Sequence, residues 1–339
     1  MPKDVLSELI SPHMMLLMNR LKDAGSDSKV SAALQALERQ LFCSVQEEKV
    51  LSYELGDPLG SHRYEFVPRM IHQYKNRALV LTTSKCFSHC RYCFRKNYAS
   101  SENTWLSDME TKRICDYLLC HTEIKEILLS GGDPLTASDE QIFSLIGNLR
   151  NACPDLLVRI CTRSPIFCPE RITSKLVDSL KNLRPLWIVL HVNHPVEISK
   201  VYSPESYNSI RRFIDAGISV QSQTVLLKNV NDSVAVLADL FHQLTCLGVK
   251  PGYLFQGDLV PGTSHFRVPI QDGLRLYEDL RCELSGLSTP VYAVDLPGGG
   301  GKFNLLQLDS SLLSTSVRRT ESYYVFTKYD NSIWKYPVK

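Results

Sequence analysis

The stretch Ala78-Leu79-Val80-Leu81-Thr82-Thr83-Ser84-Lys85-Cys86-Phe87-Ser88-His89-Cys90-Arg91-Tyr92-Cys93 joins an apolar β-type run to a C-x3-C-x2-C cysteine cluster. Downstream, five further β-type runs follow at residues 124–130, 156–162, 186–192, 218–227 and 252–259. Helical stripes lie between them: Ile142, Leu145, Ile146 and Leu149 form one, and Val234, Leu237, Leu240, Phe241 and Leu244 another. Six strands, each followed by a helix, predict parallel β/α units in an α/β fold. Eight such units would close a full barrel, so six predict a partial (βα)6 TIM-like barrel, with its chemistry at the C-terminal ends of the strands. The cysteine cluster stands at such an end.

Around this barrel, expected over residues 76–268, residues 1–75 read as an N-terminal helical extension. Leu17 and Leu21, then Ala33, Leu34, Leu37 and Leu41, recur at helical spacing, with a break at Gly25-Ser26-Asp27. Residues 269–339 read as a C-terminal segment: a helix over 271–285, a strand over 291–294, the run Pro297-Gly298-Gly299-Gly300-Gly301-Lys302, and a terminal hairpin of 323–328 and 333–336 joined by Tyr329-Asp330-Asn331-Ser332. A chain of 339 residues can bury a core without staples, and eleven cysteines cannot all pair internally. No apolar run approaches the ~20 residues of a membrane span, and the beginning of the chain has no secretory signal pattern. A reducing, cytoplasmic location is therefore expected, where clustered thiols serve as ligands or catalysts. With 38 basic against 36 acidic side chains, the net charge of +2 leaves no footprint for nucleic acid or a membrane surface.

Three thiols within eight residues can converge on one inorganic centre. An iron–sulfur cube held by Cys86, Cys90 and Cys93 would keep one iron open. Zinc is the competing reading, with His89 as the candidate fourth ligand, although His89 adjoins Cys90 and no second C-x2-C occurs. Unrelated buried thiols are the third reading, and it suits the eight scattered cysteines. At the end of the second strand, Ser130-Gly131-Gly132-Asp133-Pro134-Leu135 combines close backbone approach with a carboxylate able to accept an ammonium. Its plainer reading is a strand-to-helix turn. The poly-glycine run is not a phosphate loop, since Phe303 follows Lys302. It reads either as a flexible surface loop or as a flexible backbone presenting Lys302 for a Schiff base.

Taken in order, C-x3-C-x2-C, Ser130–Leu135, Thr162-Arg163-Ser164-Pro165, Asn193-His194-Pro195, Asn231-Asp232 and Pro297–Lys302 resemble the motifs of lysine 2,3-aminomutases, in the radical S-adenosylmethionine (SAM) superfamily. The resemblance runs from about residue 57 to about residue 308. It implies a [4Fe-4S] cluster on Cys86, Cys90 and Cys93, with SAM bound at the open iron, and pyridoxal 5'-phosphate (PLP) on Lys302. The implied reaction moves the α-amino group of L-lysine to the β-carbon, through a 5′-deoxyadenosyl radical, after an external electron donor reduces the cluster. Carried over residue by residue, Tyr92, Gly131, Gly132, Asp133, His194 and Gln223 are expected at SAM. Arg77 is expected at the PLP phosphate, Arg95 at the substrate carboxylate, and Asp258 and Asp295 at the substrate side-chain ammonium. Two acids opposite an arginine suit free lysine, whereas a glutamate-using enzyme would need cationic or amide groups in their place.

The chain departs from the family at two places. Gln73 stands where a second phosphate-binding arginine is expected, and no cysteine follows Cys282 for the zinc site that the family uses in assembly. A homo-oligomer therefore stays open. The C-terminus also resembles a neighbouring branch that supplies β-lysine for modification of elongation factor P. The Pro297–Lys302 run and Asp295 favour the aminomutase branch proper.

Overall fold

The computed structural model describes residues 6–25, 27–99, 104–307, 316–328 and 330–338. The first five residues, Ser26 of the expected break, Leu308 at the end of the resemblance and Tyr329 of the expected terminal turn lie outside the described residues. Two helices come first, α1 (Pro12–Asp23) and α2 (Ser28–Leu41), capped by the side chains of Ser11 and Asp27. Then β1 (Met70–Tyr74) turns back as β2 (Arg77–Thr83).

From β2 onward the chain alternates. The cysteine segment, α3 (Lys96–Ala99) and α4 (Asp108–Cys120) lead to β3 (Glu126–Gly131), and α5 (Asp139–Ala152) leads to β4 (Leu157–Thr162). The short α6 (Ser164–Phe167) and α7 (Ser174–Lys181) precede β5 (Leu186–His191). Next come α8 (Pro204–Asp215), β6 (Ser219–Val225), α9 (Val234–Leu247), β7 (Lys250–Phe255), α10 (Ile270–Glu283), β8 (Val291–Leu296) and β9 (Gly301–Asn304). Capping boxes at Ser107/Glu110 and Ser138/Gln141 open α4 and α5, and Gly248, at φ 95°, closes α9.

Neighbours in the sheet follow chain order from β1 to β9. Strands β2 to β8 are parallel, and β1 and β9 are antiparallel edges. This is the expected partial barrel, extended beyond six strands. The pleat explains how it makes a site. Val80, Ile127, Leu129, Val158, Ile160, Ile188 and Leu190 are fully buried, in the core shared with Leu145, Leu149 and Leu244 of the covering helices. The alternating set, Leu79, Leu128, Arg159, Cys161, Val189, His191, Gln221, Gln223, Tyr253 and Phe255, faces a cavity. In a closed barrel that lumen would be packed with branched side chains; here much of it is polar.

Two expected boundaries differ from the structure. Residues 1–75 are not helical throughout, because Met70 and Ile71 pair with Val80 and Leu79 in a β1–β2 hairpin that crosses residue 75. Likewise α10, β8 and β9 continue the main sheet beyond residue 268. The helical N-terminus is no separate body either, since Met14, Leu17 and Leu37 belong to the same core as the strands. At the C-terminus, β10 (Ser316–Arg319) joins the expected hairpin of β11 (Tyr323–Thr327) and β12 (Ile333–Pro337) in a second sheet. Among the described residues, no helix is long and apolar enough to cross a membrane.

Candidate active site

The lumen holds a cavity of about 590 Å³ that runs from Arg77 and Glu126, at the starts of β2 and β3, to the loops beyond the C-terminal ends of the strands, within the size range of small-molecule sites. Cys86, Cys90 and Cys93 all line it, half-buried. Burial, and then the neighbouring Asp133, pushes the Cys86 thiol well above its ordinary pKa. Burial, and then Cys90, pushes Cys93 up to about 12. Thiols in this setting give up their protons to a group that brings positive charge of its own. Among the described residues, no three His, Cys, Asp or Glu side chains converge as they would on a single ion. His89 Nδ1 is 2.7 Å from the Ser7 carbonyl oxygen. With His89 turned to Ser7, the cysteine segment presents three thiols to the cavity, the ligand type that holds iron–sulfur clusters.

The glycine turn fixes where the cysteine segment starts. Gly132 N donates to Thr83 O at 2.6 Å and Asp133 N to Lys85 O at 2.7 Å. A Cβ on Gly132 would lie 2.3 Å from Lys85 O, and one on Gly131, which sits at φ 112°, 2.5 Å from Thr83 O. The Asp133 carboxylate is already committed. It accepts from Thr162 Oγ1 at 2.7 and 2.9 Å, from Arg163 N at 2.8 Å and from Leu135 N at 3.0 Å. These are three donors, the one Thr162 hydroxyl being shared between both oxygens, against a capacity of about four acceptor positions. Burial raises its pKa, against these bonds. Asp133 therefore ties β3 to β4 while lining the cavity, its carboxylate engaged by Thr162, Arg163 and Leu135.

Tyr92 lines the cavity as expected, and its hydroxyl is the hub of a buried network. It shares a 2.8 Å hydrogen bond with His191 Nε2, accepts from Asn193 Nδ2 at 2.6 Å and accepts from Arg163. Burial, and then Arg163, keeps His191 neutral, well below its ordinary pKa. Gln223 lines the cavity, but His194 does not. The His194 ring turns back to accept from Val196 N at 3.2 Å, capping a short 3-10 turn. His191, three residues earlier on the lumen side of β5, takes the cavity position. Arg163, Tyr253, Phe255 and His191 were all missed from sequence. The alternation within the strands was the signal that pointed at the last three.

At the other end of the cavity, Lys302 and Asp295 face each other across β8 and β9. The Lys302 ammonium is 3.0 Å from both Asp295 oxygens and 4.0 Å from the centre of the Phe255 ring, with Tyr253 at 5.0 Å. Asp258, three residues beyond β7, is pushed up to about 7 by burial and then by Asp295, with Lys302 and Arg95 opposing. Arg95 lines the same cavity over the Phe94 ring at 4.7 Å, its pKa lowered by burial. The Arg77 guanidinium lies 3.8 Å from the Tyr74 ring centre, also in the cavity.

The glycine run is not a flexible loop. Gly298 N donates to Pro58 O at 2.7 Å, the Tyr64 hydroxyl and Gln73 Nε2 donate to Gly299 O at 2.8 and 3.0 Å, and Lys328 Nζ donates to Gly300 O. A Cβ on Gly300 would lie 2.5 Å from Leu296 Cβ and 2.7 Å from the Trp334 ring. Tyr74 on β1 accepts from Lys302 N at 2.8 Å, so the two sheet edges meet at the lysine. Gln73 thus supports the turn, and its amide nitrogen is occupied there.

The model of the radical SAM superfamily matches residues 80–241. A putative L-lysine 2,3-aminomutase of Treponema pallidum (strain Nichols) is 48% identical over 305 residues, covering 90% of this chain and 82% of that one. An L-lysine 2,3-aminomutase of Fusobacterium nucleatum subsp. nucleatum is 38% identical over 267 residues, covering 78% of this chain and 62% of that one, so this chain spans less than two thirds of that relative. Among solved structures, a radical SAM methyltransferase from Sphaerobacter thermophilus aligns with a TM-score of 0.50 at 16% identity, over 66% of this chain and 68% of that one, a likeness of fold. The chain belongs to the lysine 2,3-aminomutase family of the radical SAM superfamily.

Proposed function

We propose that this protein is an L-lysine 2,3-aminomutase that uses a [4Fe-4S] cluster, SAM and PLP. One observation carries the choice of substrate: Asp258 and Asp295 share a cavity with Arg95 and Lys302. Two carboxylates can hold a side-chain ammonium through charge-assisted bonds, and an arginine offers a fork to the α-carboxylate. When bound, the cluster and SAM supply a hydrogen-abstracting radical, while PLP supplies a conjugated ring that spreads the resulting spin.

The chain's own side chains provide the setting. Cys86, Cys90 and Cys93 hold the cluster beside the Gly131-Gly132 turn. Lys302, beside the stacked rings of Tyr253 and Phe255, would anchor PLP, and Arg77 would serve its phosphate. His191 and Gln223 line the space between. Asp258, Asp295 and Arg95 hold the substrate at both ends, which places its α- and β-carbons reproducibly. The reading requires an external one-electron donor and a reducing compartment such as the cytoplasm.

The test is anaerobic reconstitution followed by product analysis. About four irons per chain and a Schiff-base absorption band are expected. With reductant, SAM, PLP and single amino acids, chiral chromatography should show β-lysine from lysine. Zinc without iron, or conversion of glutamate but not lysine, would overturn the reading.

A further inference from the structure

Arg163 follows β4 and is buried, at 5% exposure, as is Glu197, at 0%. Its Nη2 donates to Glu197 Oε1 and Oε2 at 3.0 Å each and to Gln40 Oε1 at 2.8 Å. Its Nη1 donates to Tyr92 and lies 3.0 Å from Cys90 Sγ. Its backbone N–H is held by Asp133 at 2.8 Å. A buried ion pair is weak evidence of a stability device, because desolvation offsets much of the attraction. This pair does something more specific. Three segments far apart in sequence, carrying Gln40, Tyr92 and Glu197, clamp the planar fork so that a fixed cation donates to one of the three candidate cluster sulfurs.

Hydrogen bonds to the sulfurs and net charge set the potential of an iron–sulfur cluster. A cube with three thiolates gains one further negative charge on one-electron reduction. A fixed cation and donor at one sulfur therefore favours the reduced form. We propose that Arg163 is a positioning residue that hydrogen-bonds the Cys90 sulfur of the bound cluster and raises its reduction potential, with Glu197 offsetting part of that charge. This rests on the reading of Cys86, Cys90 and Cys93 as cluster ligands.

The test compares reconstituted wild type, R163K, E197Q and R163Q/E197Q. Iron content and visible absorption establish that the cluster assembles. Mediator titration with dithionite, followed by EPR of the reduced cluster without SAM, then gives the midpoint. The double variant removes the ion pair together and avoids stranding a buried carboxylate. Its midpoint should fall by at least the ~59 mV that a tenfold one-electron change represents. R163K should lie between it and wild type. E197Q should move the other way, upward, because the arginine's charge is no longer offset. A generally loosened site would not produce shifts of opposite sign. Midpoints indistinguishable from wild type in cluster-loaded variants would overturn the proposal, as would loss of the cluster from R163K and the double variant alike. Absence of a cluster from wild type would instead sink the underlying assignment of the cysteines.

Discussion

The Lys302 ammonium lies 3.0 Å from both oxygens of Asp295, its direct partner in the β8–β9 register. The lysine proposed to anchor PLP therefore occupies a carboxylate proposed to receive the substrate ammonium. Without PLP, the protein's own cation competes with that ammonium; a Schiff base at Lys302 removes the competitor. Lys302→Ala should abolish the PLP absorption band and leave the iron content unchanged. By calorimetry in the absence of PLP, the same variant should bind 1,5-diaminopentane more tightly than wild type. A partly exposed pair of this kind is worth about 1 kcal/mol, or roughly fivefold. Loss of iron together with PLP would mean that Lys302 is structural.

Asp258 and Asp295 approach the cavity from different elements, so their roles separate by substitution. Asp258→Asn or Asp295→Asn should each raise KM for lysine, by roughly 30-fold if a desolvated charge pair is truncated at about 2 kcal/mol. The iron content should not change. Steady-state kinetics with lysine, checked against iron analysis, decides this. An unchanged KM in both variants would place the substrate ammonium elsewhere.

The strands and their order were legible because each β/α unit carries its own hydrophobic period, which local sequence records. The cysteines, Lys302, Arg95, Asp258 and Asp295 were legible as residues that one cavity brings together. What escaped depends on contacts between distant parts of the chain. Nothing near Gln73 and Tyr74 announces that they bind Gly299 and Lys302, more than 200 positions away. Consecutive glycines look flexible until Trp334, Tyr64 and Pro58 pack around them. The choice between His191 and His194 rests on strand parity: His191 is still on β5, facing the lumen, whereas His194 has already entered the following turn.

Gly132 makes the coupling between β3 and the cysteine segment testable. Its missing side chain would meet backbone, Lys85 O at 2.3 Å and Ser84 C at 2.7 Å, and backbone cannot rotate aside. Gly132→Ala should displace the segment that leads into Cys86 and destabilise the protein by about 1–3 kcal/mol. Iron bound per chain after reconstitution should fall. Gly147, inside α5 with open space for 4 Å around the position a methyl would take, is the matched control. There alanine should be neutral or stabilising by up to ~1 kcal/mol. Equal iron content in the two variants would show that the glycine turn does not set the cysteine segment.

The carboxyl of Asp258 offers a pH signature with a determined sign. Burial, and then Asp295, raises it to about 7 in the folded protein, from an ordinary value of 3.8. The folded state thus binds this proton more tightly than the unfolded state does. Its contribution to stability is fully present below the unfolded value and is lost as pH rises through about 7. Asp258→Asn removes the titrating group. The PLP-free variant should therefore melt a few degrees above wild type at pH 8, and the difference should shrink toward pH 5. Activity should move in the opposite sense, because the proposed ammonium site needs the ionised carboxylate. Wild-type kcat/KM for lysine should fall as pH drops below about 7, and the Asn variant should lose that limb of the profile. Thermal melts and kcat/KM measured across pH 5–8 check both halves. A wild-type melting profile parallel to that of the variant would mean that Asp258 titrates as an ordinary carboxylate and is not held apart from water beside Asp295.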